Sequence, residues 1–177
     1  MIGIYYKAPW GNSVIISTII ISAVVLACAY APLRMVRLPV MGVKILGFLL
    51  LAIMLGIIIF SYLLSPKGYL VGPDNLTIVR PMRSIVIPLD KLSGVEEAAP
   101  EALSGATRLL GCDGLWGQYG EYQNSKLGLY RLYVRKTTDQ VIIRGQDTYI
   151  IAPERPAEFI QNLSRAIQAR AGKGTVK

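Results

Sequence analysis

The chain has no histidine. That removes the commonest general base near neutral pH and the commonest metal ligand. Cysteine is almost as scarce. Cys28 lies in an apolar run and Cys112 far downstream, neither at metal-ligand spacing, so no metal site, no cofactor and no disulfide between them is expected. Acidic residues are absent ahead of Asp74. Those that follow offer no arrangement of nucleophile and base. Glu96 and Glu97 are adjacent on an expected strand and would point to opposite faces, away from any joint action with Asp90. No enzyme activity is expected. There is also no long Lys/Arg run. The formal charge of +8 divides evenly, +4 ahead of Ser65 and +4 after it, and a mild excess on a mixed-charge segment does not make a nucleic-acid surface.

What the chain does have is apolar residues, 53% of the total, concentrated in its first third. Residues 8–33 carry no charge, and residues 45–66 carry none either. About 20 helical residues cross the hydrocarbon of a bilayer. A domain this small has no interior able to bury two such runs on all sides. Two spans are therefore expected, at about 12–33 and 45–64, forming a transmembrane hairpin over 1–66. Trp10 and Tyr62 sit at the run ends as interface anchors, and Arg34, Arg37 and Lys44 lie in the connecting segment. Three cations in that connection favour a cytoplasmic loop 34–44 and an extracytoplasmic domain, in a multi-pass protein of the cell (inner) membrane. Val25-Leu26-Ala27-Cys28 resembles a lipoprotein cleavage box and Ala29-Tyr30-Ala31 a small-residue cleavage site, but the lead carries one lysine and a second run follows at once. A retained hairpin is expected.

From residue 67 the pattern changes to short strands. Leu76–Val79 and Ser84–Ile87 flank a turn at Pro81-Met82, and Leu92–Glu97 is a further candidate. Leu129–Arg135 alternates with a period of two, and Val141–Ile143 and Tyr149–Ile151 are split by a turn at Gly145-Gln146-Asp147. Pro156 suits the first turn of a helix. Phe159, Ile160, Leu163, Ala166 and Ile167 recur at helical spacing and predict an amphipathic helix over 156–170, ahead of a tail at 172–177. Several strands followed by one such helix suggest a mainly-β domain, a curved sheet or open barrel capped at its end.

These segments resemble the bacterial pleckstrin-homology (PH)-like domains, many of which are attached to membrane helices. The resemblance is carried by Leu76-Thr77-Ile78, by Ile87-Pro88-Leu89 leading to Val95-Glu96, and by the run from Gly111 to Gly120. It continues through Gly128–Tyr133, Val141–Ile143 and Tyr149–Pro153 to Glu158-Phe159. Cys112-Asp113 stand where the family pattern has smaller, Gly/Ser-like residues. The resemblance implies an open β-barrel of about seven strands over 67–171, capped by the C-terminal helix, with no enzyme activity. The phosphoinositide binding of eukaryotic relatives does not carry over, because Gly68 to Asn75 holds no cation.

Gly111, Gly114, Gly117 and Gly120 repeat every three residues, threaded with Leu115, Trp116, Tyr119 and Tyr122. No Gly-Lys-Ser/Thr follows and the spacing is not GxGxxG, so this is no phosphate cradle. Glycines in strand-rich sequence mark bulges, tight bends or close backbone approach. The functional alternative is a loop whose Trp116, Tyr119 and Tyr122 touch a partner or the bilayer. Arg80 and Arg83, flanking a turn, are candidate contacts to lipid phosphates. The leading expectation is a membrane-tethered, non-enzymatic binding or scaffold module. Its domain would recognise a protein, a peptide or a lipid headgroup beside the lipid bilayer, with no nucleic-acid partner. Two alternatives stand beside it: an accessory subunit of a membrane complex engaged through the helices, an oligomer included, and an unrecognised membrane enzyme.

Overall fold

The computed structural model describes residues 3–174, with side chains from 3 to 170. A short strand, β1 (Ile4–Lys7), precedes helix α1 (Asn12–Cys28), which runs on after a break at Ala29 into α2 (Tyr30–Val36). Pro32 accounts for the break, since it has no N–H to donate to the carbonyl one turn back. Four non-helical residues at 37–40 lead into α3 (Met41–Leu64). The helices therefore run into the basic connection that the sequence suggests as a loop: Arg34 lies in α2 and Lys44 in α3. Residues 12–36 and 41–64 are each long and apolar enough to cross a membrane. Their outward side chains, Ile16, Ile19, Val24, Phe48, Ile53 and Phe60 among them, are more than half exposed. The two helical segments meet closely at the connection end, where Gly47 is buried against the Pro32 carbonyl and Val36.

The strands that follow form two sheets. In the first, β1 pairs with β2 (Gly68–Val71), β2 with β3 (Asn75–Val79) and β3 with β4 (Ile85–Pro88), all antiparallel. The second takes β5 (Leu92–Glu97), β6 (Thr107–Asp113), β7 (Gln118–Asn124), β8 (Gly128–Val134), β9 (Val141–Gly145) and β10 (Tyr149–Ile151) in the order β5-β9-β10-β8-β7-β6. Only the β10–β8 pairing is parallel. Helix α4 (Pro156–Gly174) ends the described chain.

This is the expected mainly-β domain with a terminal helix; among the described residues the strands, β1 included, number ten and lie in two sheets, where about seven in one open barrel are expected. One addition is β1, which joins the sheet edge from the far side of the hairpin in sequence. The others are β2, which the sequence reading passes over ahead of the turn at 72–75, and β6 and β7, whose glycines dilute the strand signal.

The main core lies between the sheets and α4. It holds Tyr6, Tyr69, Leu76, Ile78, Ile143, Ile151, Phe159 and Leu163, all essentially inaccessible. Phe159 stands edge-on to Tyr6, with ring centroids 5.2 Å apart. Burial of a side chain such as Phe159 or Leu163 stabilises by about 1.5–3 kcal/mol. A second cluster covers the outer face of the larger sheet, where Leu103, Ala102 and Leu127 lie over Tyr122, Tyr130, Leu132, Ile142 and Ile150. Strands β9 and β10 are thus buried on both faces, which explains their unbroken apolar runs.

Candidate functional site: where the domain meets the helices

The β6–β7 hairpin carries the glycine series. Gly111 and Gly120 face each other across the strand pair with φ of +132° and +131°. A Cβ on Gly111 would collide with the Tyr119 carbonyl, and one on Gly120 with the Leu110 carbonyl. Only glycine lets the two backbones lie this close. The hairpin tip at 113–117 then turns tightly, with Gly114 N–H donating to the Gly117 carbonyl at 3.1 Å. Trp116 sits in the left-handed region at φ +63°.

That tip is held between the two long apolar helical segments. The Gly114 carbonyl accepts from Ser17 Oγ at 2.8 Å and from Thr18 Oγ1 at 3.0 Å, both on α1. Trp116 N–H donates to Thr18 Oγ1 at 3.1 Å. On the α3 side, Ser61 Oγ lies 3.4 Å from the Leu115 carbonyl and 2.9 Å from the Tyr119 hydroxyl, and that hydroxyl donates to the Ser61 carbonyl at 2.6 Å. The absence of a side chain at Gly114 permits the approach, for a Cβ there would stand 3.3 Å from Ser17 and from Ile21. Irregular backbone beside apolar helices is tolerated where its polar groups are paired and buried in protein; here the Gly114 carbonyl and the Trp116 N–H are so paired, while the side-chain Nε1 of Trp116 and Nε of Arg135 are buried without a partner.

Aromatic rings and cations surround the seam. Trp116 makes edge-on contacts with Trp10 at 6.2 Å and with Tyr62 at 5.4 Å. The Arg135 guanidinium stands 4.7 Å over the Trp10 ring, and Lys67 Nζ stands 5.2 Å over the Tyr62 ring. Arg135 is buried and donates to Ser65 Oγ at 2.8 Å. Its burial depresses the guanidinium's affinity for its proton. The β3–β4 turn completes this end: Met82 N–H donates to the Leu63 carbonyl at 3.2 Å, in the last turn of α3, while the Met82 side chain is 51% exposed. Arg80 and Arg83 flank Met82, and Arg80 Nε donates to the Arg83 carbonyl at 2.7 Å.

The candidate residues therefore separate into three groups. Trp116, Trp10 and Tyr62 converge on the seam, with Arg80 and Arg83 beside it. Arg34, Arg37 and Lys44 lie at the opposite end of the hairpin, Arg34 with its guanidinium 5.9 Å over the Tyr30 ring. Tyr119 and Tyr122 are buried in the domain, Tyr119 bonded to Ser61 and Tyr122 stacked on Tyr130 at 6.0 Å. Both rings are thus packed into the domain's core clusters. Burial also raises both phenols, that of Tyr122 to about 12.

Sequence reasoning did not single out Ser17, Thr18, Ser61 or Ser65; it read Met82 only as part of a turn and Arg135 as one of several strand cations on a solvated face. One signal was there: the hydroxyls of Ser17, Thr18 and Ser61 interrupt the two apolar runs near the ends closest to the domain. Among the described residues, no group of three or more Cys, Asp or Glu side chains converges as a metal site.

Residues 67–167 match the family model for the bacterial PH domain. The chain belongs to that family. The match begins just after α3 and ends within α4, so the PH domain comprises β2 to β10 and most of the terminal helix, while β1 and the helical hairpin lie outside it. No curated protein and no solved structure matches the chain. The membership explains the strand-rich body and its capping helix. The seam with the helices and the added strand β1 are described by this chain's own geometry.

Proposed function

We propose that the protein is a membrane-tethered, non-enzymatic binding module whose PH domain is held fixed on the bilayer surface. PH-like domains are generally binding modules without enzymatic activity, and that generalisation supports the reading. The observation that carries it is the β6–β7 tip bonded between α1 and α3 through Ser17, Thr18 and Ser61. With the hairpin in lipid, this seam sets the domain's face at headgroup depth. The exposed Met82 enters the interface and Arg80 and Arg83 take lipid phosphates, each cation contributing about 1 kcal/mol at an anionic surface. Trp10, Tyr62 and Trp116 form the aromatic belt on this side, and Arg34, Arg37 and Lys44 anchor the other. Those last three cations favour a cytoplasmic 37–40 connection and a domain on the outer side. A fixed domain presents its remaining surface to membrane-associated partners at raised effective concentration.

The test uses the full chain in nanodiscs with Cys28 and Cys112 replaced by serine. An environment-sensitive fluorophore is placed at Met82→Cys and, separately, at Gln161→Cys on α4. The proposal expects blue-shifted emission, quenched by headgroup spin labels, at position 82 only, with the shift weakened in an Arg80→Gln/Arg83→Gln background. Water-like emission at both positions would overturn it. In intact cells, modification of Gln161→Cys by an impermeant thiol reagent supports the outward orientation, and protection until lysis refutes it.

A further inference from the structure

The far end of the domain carries a groove that the membrane-facing reading does not use. Its volume is about 470 Å³. One wall is the C-terminal half of α4, with Asn162, Arg165, Ala166 and Ala169; the other is Ile4 on β1, Val71 on β2 and the turn at 72–74. Lys7 and Gly68 are the pair of β1 and β2 nearest in sequence to the helices and Ile4 and Val71 the pair farthest from them, so the groove lies at the end of this strand pair away from the helical hairpin. The small side chains of Ala166 and Ala169 create the space, and Asn162 holds the helix to β1 by donating to the Tyr6 hydroxyl at 2.7 Å.

Two further features restrict what fits. The first is charge. Arg170 is paired with Asp74 at 2.9 Å, whereas Arg165 has no ion-pair partner among the described residues, so the apolar floor ends at an unmatched cation. The second is the sheet edge. Ala8 N–H bonds to the Lys67 carbonyl, which fixes Tyr6 and Ile4 as the residues whose backbone groups face β2. The N–H and C=O of Tyr5 therefore point outward along an edge that, among the described residues, carries no further strand beside the groove. At its far end that edge is closed, because Glu154 N–H donates to the Lys7 carbonyl at 3.0 Å. An unpaired strand edge next to an apolar cleft is a template for one more strand.

We infer that this groove binds the C-terminal end of a peptide, which adds as a short strand along β1, buries an apolar last side chain against Ile4, Val71 and Ala169, and sets its carboxylate on Arg165. A fatty acid would satisfy the floor and the arginine but would leave the Tyr5 backbone groups unused, which is why the peptide is favoured. The inference rests on the binding-module reading, but not on the lipid contacts at the other end.

The test is methyl NMR of the full chain in nanodiscs, following the Ile4 δ-methyl signal. The probes are N-acetyl-Val-Thr-Val-Leu with a free carboxylate, its C-terminal amide, and decanoate. The expected result is saturable perturbation of Ile4 by the free peptide at millimolar concentration, and binding at least tenfold weaker for the amide. Arg165→Gln, on an exposed side chain, is expected to weaken the free peptide about fivefold or more, and Ala169→Trp, also exposed, to block it while the other isoleucine methyl signals stay in place. No perturbation of Ile4, equal binding of acid and amide, or binding of decanoate without the peptide would each overturn the inference. The fluorescence at position 82 is independent of all three, so failure here and failure of the membrane-surface reading are distinguishable.

Discussion

Thr18→Val tests the seam at its most economical point. The substitution keeps the β-branched shape and removes one hydroxyl. In the native chain that hydroxyl accepts from Trp116 N–H at 3.1 Å and donates to the Gly114 carbonyl at 3.0 Å, and Thr18 is 7% exposed. The Gly114 carbonyl keeps its bond from Ser17, so its loss is partial. The Trp116 N–H keeps no partner among the described residues. An orphaned buried donor costs about 1–3 kcal/mol. If the loop opens locally, that cost appears as faster hydrogen exchange at the Trp116 amide, by about 5- to 150-fold. The measurement is amide exchange of the full chain in nanodiscs, with the β9 amides as an internal reference that does not change. Thr18→Ser restores the hydroxyl and is expected to stay within about threefold of the native rate. Exchange in Thr18→Val within twofold of native would refute the claim that this hydroxyl holds the loop. Acceleration at Trp116 and β9 alike would show global unfolding and refute the localised seam.

Three further outcomes follow from the same geometry. Tyr69 is fully buried, donates to the Tyr133 carbonyl at 2.7 Å and accepts from Ala152 N–H at 3.2 Å, so Tyr69→Phe is expected to destabilise the domain by about 1–3 kcal/mol in denaturant unfolding. Gly111→Ala places a Cβ against the Tyr119 carbonyl at a φ of +132°, and about 2 kcal/mol or more of lost stability is expected, with the thermal midpoint as readout. Burial raises the Tyr122 phenol from about 10 in the unfolded chain to about 12. Its contribution to stability is therefore complete below pH 10 and is lost as the pH rises from 10 to 12, with a slope of up to about 1.4 kcal/mol per pH unit. Tyr122→Phe removes that share of the alkaline slope, while other buried phenols such as Tyr119 and Tyr69 keep theirs, and an unchanged alkaline profile in this variant would contradict the assignment.

The sequence made legible whatever depends on one element at a time. Two uncharged runs predicted two helices, the alternation at 129–135 predicted β8, and the spacing of Phe159 and Leu163 predicted α4. What it concealed depends on contacts between distant segments. Ile4–Lys7 is too short and too polar at Lys7 to read as a strand, and becomes one only because Gly68–Val71 offers an edge across the hairpin. Strands β6 and β7 were hidden by the glycines that make their close pairing possible. Tyr119 looked like a contact residue because aromatics in glycine-rich loops are often exposed, but register with Tyr133 turns it inward. Arg135 reads as a solvated strand residue, and its place over Trp10 exists only once the N-terminal tail returns to the domain.

The account turns on the two ends of the helical hairpin returning to one place, so that β1 completes the PH domain's first sheet and the domain is fixed at the hairpin's mouth. Tyr5 and Leu70 face each other in that pairing, at a position where strand backbones lie closest. With Cys28 and Cys112 replaced by alanine, a Tyr5→Cys/Leu70→Cys chain in native membranes is predicted to form an intramolecular disulfide under mild oxidation, seen as a shift in gel mobility that reductant reverses. A Tyr5→Cys/Leu110→Cys chain is predicted to form none. Absence of the first cross-link, or equal formation of both, would contradict the account.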